Sequence, residues 1–320
     1  GDAPEPYQPT VPMRHHGLPR PLLYETWQRV HWPSPDRLVP DADLLHATTT
    51  VVPPTKKPLV VTVHDLAFLH FPGLFTSRGT RIMTRGFRDC IDHADLVCCS
   101  SQATFDDCAA RGISLDRLRL VPLGIDTQPV SESAINEVRS RLEVVRPYIF
   151  WNGTVEPRKN LAGLLKAYAL VVSDVDLVLA GPVGWQDSLD EHLEALGSKR
   201  NRVRRLGFVS SHDRDALHAG AEVFCFPSLY EGFGFPVLEA LAQGTPVVTS
   251  RGTSTEELLG DAGELVDPDN PEDIAAGIET LLVDEDRRRD AISAASVQVE
   301  RFSWDRCIEL TLRAYRELVV

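Results

Sequence analysis

Val223-Phe224-Cys225-Phe226-Pro227-Ser228-Leu229-Tyr230-Glu231-Gly232-Phe233-Gly234-Phe235-Pro236-Val237-Leu238-Glu239-Ala240 is the stretch on which the fold turns. Its first four residues are short, apolar and bounded by Pro227, the pattern of a buried strand. Gly232 and Gly234 then make a loop poor in side chains, where backbone amides can approach a ligand. Pro236 suits the first turn of a helix, because its missing N–H would be unpaired there in any case. Val237 and Leu238 are expected to present free N–H groups at that positive helix end, a seat for a phosphate. Glu231 acts from the loop and Glu239 from one turn into the helix, which fits two carboxylates holding hydroxyls on either side of the phosphates, and fits equally a plain glycine turn followed by an ordinary first-turn acid.

Working outward, the same strand, loop and helix alternation runs through most of the chain. Tyr148 to Trp151, Asp176 to Ala180, Val203 to Leu206, Pro246 to Thr249 and Glu264 to Val266 read as further strands around Val223 to Phe226. Leu161, Leu164, Leu165, Tyr168 and Val172 mark one face of an intervening helix. Upstream, Asp43 to His46, Leu59 to Val63, Asp95 to Cys99 and Leu118 to Val121 form an earlier set of strands, with helical patterns at Thr80 to His93 and Thr104 to Arg111. Two α/β units in series fit a chain of 320 residues and leave a cleft between them.

Composition narrows the function. The chain is 43% hydrophobic and 25% charged, as in a folded globular protein, and its net charge of -13 argues against a nucleic-acid partner. A diphosphate ligand is compatible with that charge if amides and one or two cations are concentrated locally. The six cysteines form no CxxC pair, and Cys98 and Cys99 should point to opposite sides of one strand, so buried thiols in a reduced, cytoplasmic setting are expected. No stretch reaches the roughly 20 apolar residues of a membrane span, which leaves peripheral contact with the inner face of a membrane open.

The second constellation is Trp151-Asn152-Gly153-Thr154-Val155-Glu156-Pro157-Arg158-Lys159-Asn160, between a strand and the Leu161 helix, with Asn160 as N-cap. Arg158 and Lys159 beside an already positive helix start point to an anion, a surface pair being the plain alternative. The third is Thr62-Val63-His64-Asp65, where His64 follows a strand and is expected to face the cleft, a structural histidine being the plain alternative. The basic run Lys199, Arg200, Arg202, Arg204 and Arg205 reads as solvated or as a phosphate or lipid-headgroup contact, and Asp284 to Asp290 as a solvated helix face. Asp174-Val175-Asp176 and Asp267-Pro268-Asp269 are read as structural, not as metal ligands.

Together these segments resemble glycosyltransferase family four, a group of retaining enzymes of the GT-B fold, over nearly everything from Asp41 to Val320. The resemblance implies two Rossmann-like domains facing across a cleft, with residues 1–145 on the acceptor side, 146–302 carrying the donor, and 303–320 as a helix crossing back to the first domain. It implies that Glu231 contacts the donor sugar, that Glu239 contacts the ribose, and that the backbone of Gly232, Phe233, Gly234, Phe235, Val237 and Leu238 lines sugar and phosphates. Gly153, Thr154, Arg158 and Lys159 would take the diphosphate, Lys159 foremost, with Gly207, Phe208 and Val209 near the base. His64 would lie by the reacting sugar. Thr154 departs from members that carry arginine at that place, and Arg158 is the residue available to compensate. The implied reaction moves a hexose from a nucleotide-diphosphate donor, with GDP-mannose as the choice, to an acceptor hydroxyl in α linkage, without a metal or other cofactor. The acceptor is a saccharide, a lipid-linked or a small molecule. An epimerase, a phosphorylase, or a non-catalytic nucleotide-sugar binding protein of the same architecture are the rival readings. Gly1 to Pro40 offers only a short helical stretch at Leu22 to Val30 where the family opens with a strand and a Gly-rich loop, so roughly the first 40 to 50 residues of the natural enzyme are expected to be missing.

Overall fold

A computed structural model describes residues 11–126, 128–182, 184 and 189–319. Two parallel sheets organise them. The first contains β1 (Leu45–Ala47), β2 (Leu59–Val63), β3 (Leu96–Cys99) and β4 (Leu118–Leu120) in that order. The second contains β5 (Tyr148–Asn152), β6 (Asp176–Ala180), β7 (Val203–Gly207), β8 (Val223–Phe226), β9 (Val247–Ser250) and β10 (Gly263–Val266), ordered β10-β9-β8-β5-β6-β7. All of the pairings are parallel. β5, β6, β8 and β9 are buried throughout, as expected of strands with helices on both faces and as their continuous apolar runs require.

The strand order of the second sheet reverses between β5 and β8, which pair through Ile149–Val223 and Phe150–Phe224. At such a switch point the loops leaving the two carboxyl ends diverge and open a crevice. The loop after β5 carries residues 153–160 and the loop after β8 carries residues 227–234, so the topology brings both sequence constellations to one place.

The helix Trp304–Leu318 crosses back to the first sheet, where Cys307 and Ala314 pack among Val60, Leu96, Cys98 and Val121. Its Tyr315 hydroxyl lies 2.6 Å from His46 Nδ1, and Glu317 takes Arg119 in a forked pair at 3.0 and 3.1 Å. Cys98 faces this helix while Cys99 joins the core on the other side of the sheet, together with Cys90 and Cys108. All six thiols are free and buried.

One detail differs from the sequence reading. Val172 does not continue the Leu161 helix face: the helix stops at Leu170, and Val172 is 89% exposed. The Glu279 carboxylate accepts from the N–H groups of Val172 and Ser173 at 2.5 and 2.9 Å and from the Ser173 hydroxyl at 2.6 Å, which holds the chain out of helix. The basic run is a solvated face of ion pairs, as one of its two readings expects. Arg202 pairs with Asp174 and Asp176 (2.5 and 2.9 Å), Arg204 with Glu143 (3.0 Å) and Arg205 with Asp190 (3.5 Å). Asp174 and Asp176 also share Arg146, so these carboxylates serve as ion-pair partners at a strand entrance.

Candidate active site

The crevice at the switch point is built around Glu231. Its carboxylate is 7% exposed and fully engaged: Oε1 accepts from Lys159 Nζ at 2.5 Å and from Ser228 Oγ at 2.6 Å, and Oε2 accepts from Arg158 Nη1 at 3.0 Å. Arg158 in turn reaches Glu156 at 2.7 Å and the Tyr230 carbonyl at 3.2 Å. Lys159 Nζ lies 4.9 Å from the Phe226 ring centre, a cation–π contact that adds to its ion pair. Burial alone would raise the Glu231 pKa, but the adjacent Lys159 and Arg158 charges and the donated hydrogen bonds outweigh it and hold the carboxyl below its ordinary range. Burial works against the Lys159 ammonium and brings it below the usual lysine value, with Glu231 pulling the other way.

Local backbone chemistry sets these positions. Asn160 adopts a left-handed conformation (φ 53°), caps the following helix through Gly163 N at 3.2 Å, and donates to the carbonyls of Pro227 and Pro268 at 3.0 and 2.7 Å. The 153–160 loop is thereby stapled to the loop after β8, and Leu229 N–H donates to the Arg158 carbonyl at 2.8 Å. Ser254 fastens the same loop from below, donating to the carbonyls of Glu231 and Phe233 at 2.8 and 2.9 Å.

Gly232 carries the loop to the other domain. A Cβ at Gly232 would stand 2.1 Å from the His64 carbonyl oxygen, so no side chain fits. The Gly232 carbonyl accepts from Ser101 Oγ at 2.7 Å, Thr104 Oγ1 at 3.2 Å and Ser100 Oγ at 3.3 Å. The hydroxyls of Ser100 and Thr104 also reach the His64 carbonyl at 3.1 and 3.3 Å. Nearby, the Leu66 N–H donates to the Tyr230 hydroxyl at 3.0 Å, and Gln102 N–H donates to Glu257 at 2.8 Å. The His64 side chain remains exposed at the end of β2, and Asp65 shapes its loop by accepting from Ala67 N at 2.9 Å. His64 and the Glu231 loop are therefore brought together across the domain boundary.

Gly234 takes φ +106°, a conformation a side chain rarely adopts, and starts the helix Phe235–Ala242 with Pro236 in its first turn. The sequence expectation of a free Val237 amide fails here: its N–H donates to the Gly234 carbonyl at 3.0 Å, because the left-handed glycine folds that carbonyl into the first turn. Val237 and Leu238 bury their side chains in the core.

Glu239 sits in a separate corner, slightly more open than that of Glu231. It pairs with Arg214 at 2.9 Å, and Oε2 lies 4.0 Å from Nε2 of His218, a fully buried ring edge-on to Phe150 and Phe224. Burial raises the Glu239 pKa above its ordinary value, with Arg214 and Asn152 acting against it. Burial and the Arg214 charge push His218 down to about 3, so this imidazole is neutral across the working pH range. Beyond β6 and β7, a cavity of about 400 Å³ is lined by Trp151, Val155, Leu161, Gly181, Leu206 and Gly207 among others, and Phe208 stands 82% exposed just past Gly207.

Sequence reading missed Ser228, Glu156, Arg214, His218, Ser101 and Thr104. Ser228 and Glu156 lay inside the quoted segments and carried a signal in hindsight, being polar residues flanking a carboxylate and an arginine. Arg214 lies between Asp213 and Asp215 on a helix and looks like any solvated face. Among the described residues no group of three or more His, Cys, Asp or Glu side chains is arranged to hold a metal ion.

Residues 135–298 match the family described as Glycosyl transferases group 1, and residues 2–129 match Glycosyltransferase Family 4. The chain is 31% identical over 309 residues to O-antigen chain mannosyltransferase B of Escherichia coli, covering 93% of this chain and 81% of that protein. It is 31% identical over 196 residues to serotype-specific mannosyltransferase WbdA of Escherichia coli, covering 59% of this chain but 24% of that longer protein. Anabaena HepE, solved in complex with UDP-glucose, shares the fold with a TM-score of 0.75 at 23% identity, over 93% of this chain and 82% of its own. With two facing α/β domains, the switch-point crevice and matches over both halves, the chain belongs to the family-four, group 1 glycosyltransferases, retaining GT-B enzymes that draw on nucleotide-sugar donors.

Proposed function

We propose that this chain transfers mannose from a nucleotide-diphosphate donor to an acceptor hydroxyl, forming an α-glycosidic bond, and that the Glu231, Lys159 and Arg158 cluster is the seat of the donor. The observation that carries this reading is the pairing of two cations with one buried carboxylate at the switch point, opposite His64. In the ligand-free protein Glu231 neutralises charges that a diphosphate would otherwise attract. When donor enters, the phosphates take over Lys159 and Arg158, and Glu231 turns to sugar hydroxyls.

In the reaction the acceptor oxygen bonds to the anomeric carbon as the bond from that carbon to the phosphate oxygen breaks. Both events occur on the same face, and the acceptor's proton passes to the departing phosphate. Lys159 and Arg158 stabilise the charge growing on that phosphate, in a site where exclusion of water strengthens the interaction. His64 orients the sugar or the acceptor. Glu239 holds the ribose, Gly153 and Thr154 approach the diphosphate, and the cavity beside Gly207, Phe208 and Val209 receives the base.

Mannose is favoured because both sequence relatives named above are mannosyltransferases. For the base we propose GDP. UDP is the second reading, favoured by the fold neighbours solved with UDP or UDP-glucose. Saturation-transfer NMR with GDP-mannose, UDP-glucose and their nucleotides separates these. Strong transfer to the mannose and guanosine protons is expected. A preference for UDP-glucose would move the assignment to the second reading, and an absence of transfer from every nucleotide sugar would overturn the donor site.

A further inference from the structure

Glu231 is held between two anchors to the first domain, one on either side of it in the chain. On one side the Gly232 carbonyl takes the hydroxyls of Ser101, Thr104 and Ser100. On the other the Tyr230 side chain leaves the donor loop and enters the first domain, where its hydroxyl accepts from Leu66 N–H at 3.0 Å. Leu66 stands just past His64 and Asp65 and is fully buried. Its N–H finds no other acceptor among the described residues, so loss of that hydroxyl would leave a buried donor unpaired.

The ring is gripped as well as bonded. His70 closes the short helix Ala67–His70 that follows Leu66, and it lies against Tyr230 with ring centres 4.8 Å apart and planes 36° apart. Phe71 meets the same ring edge-on at 5.9 Å. His70 is held in turn: its Nε2 lies 2.6 Å from Asp107 Oδ2, and the other Asp107 oxygen accepts from Arg111 Nε at 2.8 Å. Asp107 belongs to the helix Gln102–Ala110, which begins at Ser101 and includes Thr104, so both anchors rest on one element of the first domain. Burial pushes the Tyr230 phenol above its ordinary value, so the hydroxyl keeps its proton at working pH.

The other end of Tyr230 is continuous with the donor cluster. Its carbonyl accepts from Arg158 Nη1 at 3.2 Å, and the same nitrogen reaches Glu231 Oε2 at 3.0 Å. An anchor at Gly232 alone would let the two domains swivel about it. A second anchor, carried on a stiff aromatic ring, fixes the angle. We propose that Tyr230 is a positioning residue: seated between Leu66 and His70, it sets the angle at which the His64 loop faces Glu231. The proposal rests on the glycosyltransferase reading above and adds to it a residue that acts through its neighbours. A misplacement of about an ångström at a reacting centre can cost on the order of 100-fold in rate, so the effect belongs in turnover and not in donor affinity.

The test uses the full chain with isotope-labelled histidine rings, His64 being assigned from the NMR signal lost in His64→Gln. Tyr230→Phe keeps the ring against His70 and removes the acceptor of the Leu66 N–H, whereas Tyr230→Leu removes both. The His64 signal is expected to shift in Tyr230→Phe and to shift further or split in Tyr230→Leu, while that of His218, buried in the donor domain, stays in place. Release of GDP from GDP-mannose, with water as the acceptor, should fall in kcat about 10-fold for Tyr230→Phe, the worth of one hydrogen bond, and about 100-fold for Tyr230→Leu. KM should stay within about twofold of the parent, because donor contacts are untouched. An unmoved His64 signal in folded Tyr230→Leu would overturn the proposal. So would a raised KM with kcat unchanged, which would make Tyr230 a donor contact, or a lowered melting temperature with kcat and the His64 signal unchanged, which would make it structural only. If Tyr230→Leu fails to fold, Tyr230→Phe decides. If the parent neither binds nor turns over GDP-mannose, that donor is wrong, and the His64 signal of the ligand-free chain still decides the role of Tyr230.

Discussion

Glu231 and Glu239 lie eight residues apart, both largely buried, yet their surroundings drive them in opposite directions. Glu231 has Lys159, Arg158 and Ser228 around its two oxygens, and its pKa is lowered in spite of burial. Glu239 has one close arginine and a neutral buried imidazole at 4.0 Å, and burial, with the Asp215 charge adding to it, raises its pKa. Burial therefore does not decide the state of a carboxylate; the number of cations within hydrogen-bond reach does. The contrast suits two tasks. A carboxylate that holds two cations can exchange them for phosphate, whereas one with a single arginine partner keeps lone pairs free to accept from ribose hydroxyls.

Breaking the Glu231 side of the comparison should give the largest effect. Lys159→Ala leaves a buried charge short of a partner and is expected to lower stability by about 3 kcal/mol in urea unfolding. Replacing both partners, with Lys159→Met and Glu231→Leu, should recover most of that stability while transfer stays lost. Recovery of transfer in the double variant would show that the pair is structural only.

Next comes Gly232→Ala, which puts a methyl group 2.1 Å from the His64 carbonyl and forces the domains apart. Transfer should fall by about 100-fold, as a shift of roughly an ångström at a reacting centre can cost, with nucleotide binding retained. Ser228→Ala removes one hydrogen bond to a charged oxygen and should cost about 1.5–3 kcal/mol of stability with a modest loss of donor affinity.

The smallest effect sharpens the contrast through pH. Glu231 contributes stability above the unfolded glutamate value of 4.5, and that contribution is lost as pH falls through its lower folded value. Glu239 has the opposite sign, because the folded protein holds its proton to higher pH than the unfolded chain does. Its contribution is fullest below 4.5 and fades as pH rises through the raised value. Glu239→Gln should therefore weaken nucleotide-sugar binding while leaving the melting temperature at neutral pH no lower than the parent. A clear drop in melting temperature with unchanged calorimetric affinity would make Glu239 a structural partner of Arg214.

Much of this was legible in the residues. The run from Val223 to Ala240 reads as strand, loop and helix because its apolar residues, glycines and Pro236 each favour the same local conformation. Asn160 as N-cap and the opposed faces of Cys98 and Cys99 follow from equally local rules. What was hidden was relational. The pairing of Glu231 with Lys159 spans 72 positions, and the contact of Gly232 with Ser101 spans 131, so neither spacing announces it. The Val237 amide was misread because its partner depends on the left-handed turn at Gly234, whose consequence for a carbonyl three residues back is geometric. Val172 was misread because its exposure is set by Glu279 from another helix.

The central claim is that a donor diphosphate replaces Glu231 on Lys159 and Arg158, and titration calorimetry of GDP and UDP into wild type and Lys159→Met tests it most directly. The nucleotide bound by the wild type is expected to lose at least about 10-fold in affinity on removal of that one phosphate-directed charge. Equal affinity in the two folded proteins would contradict it.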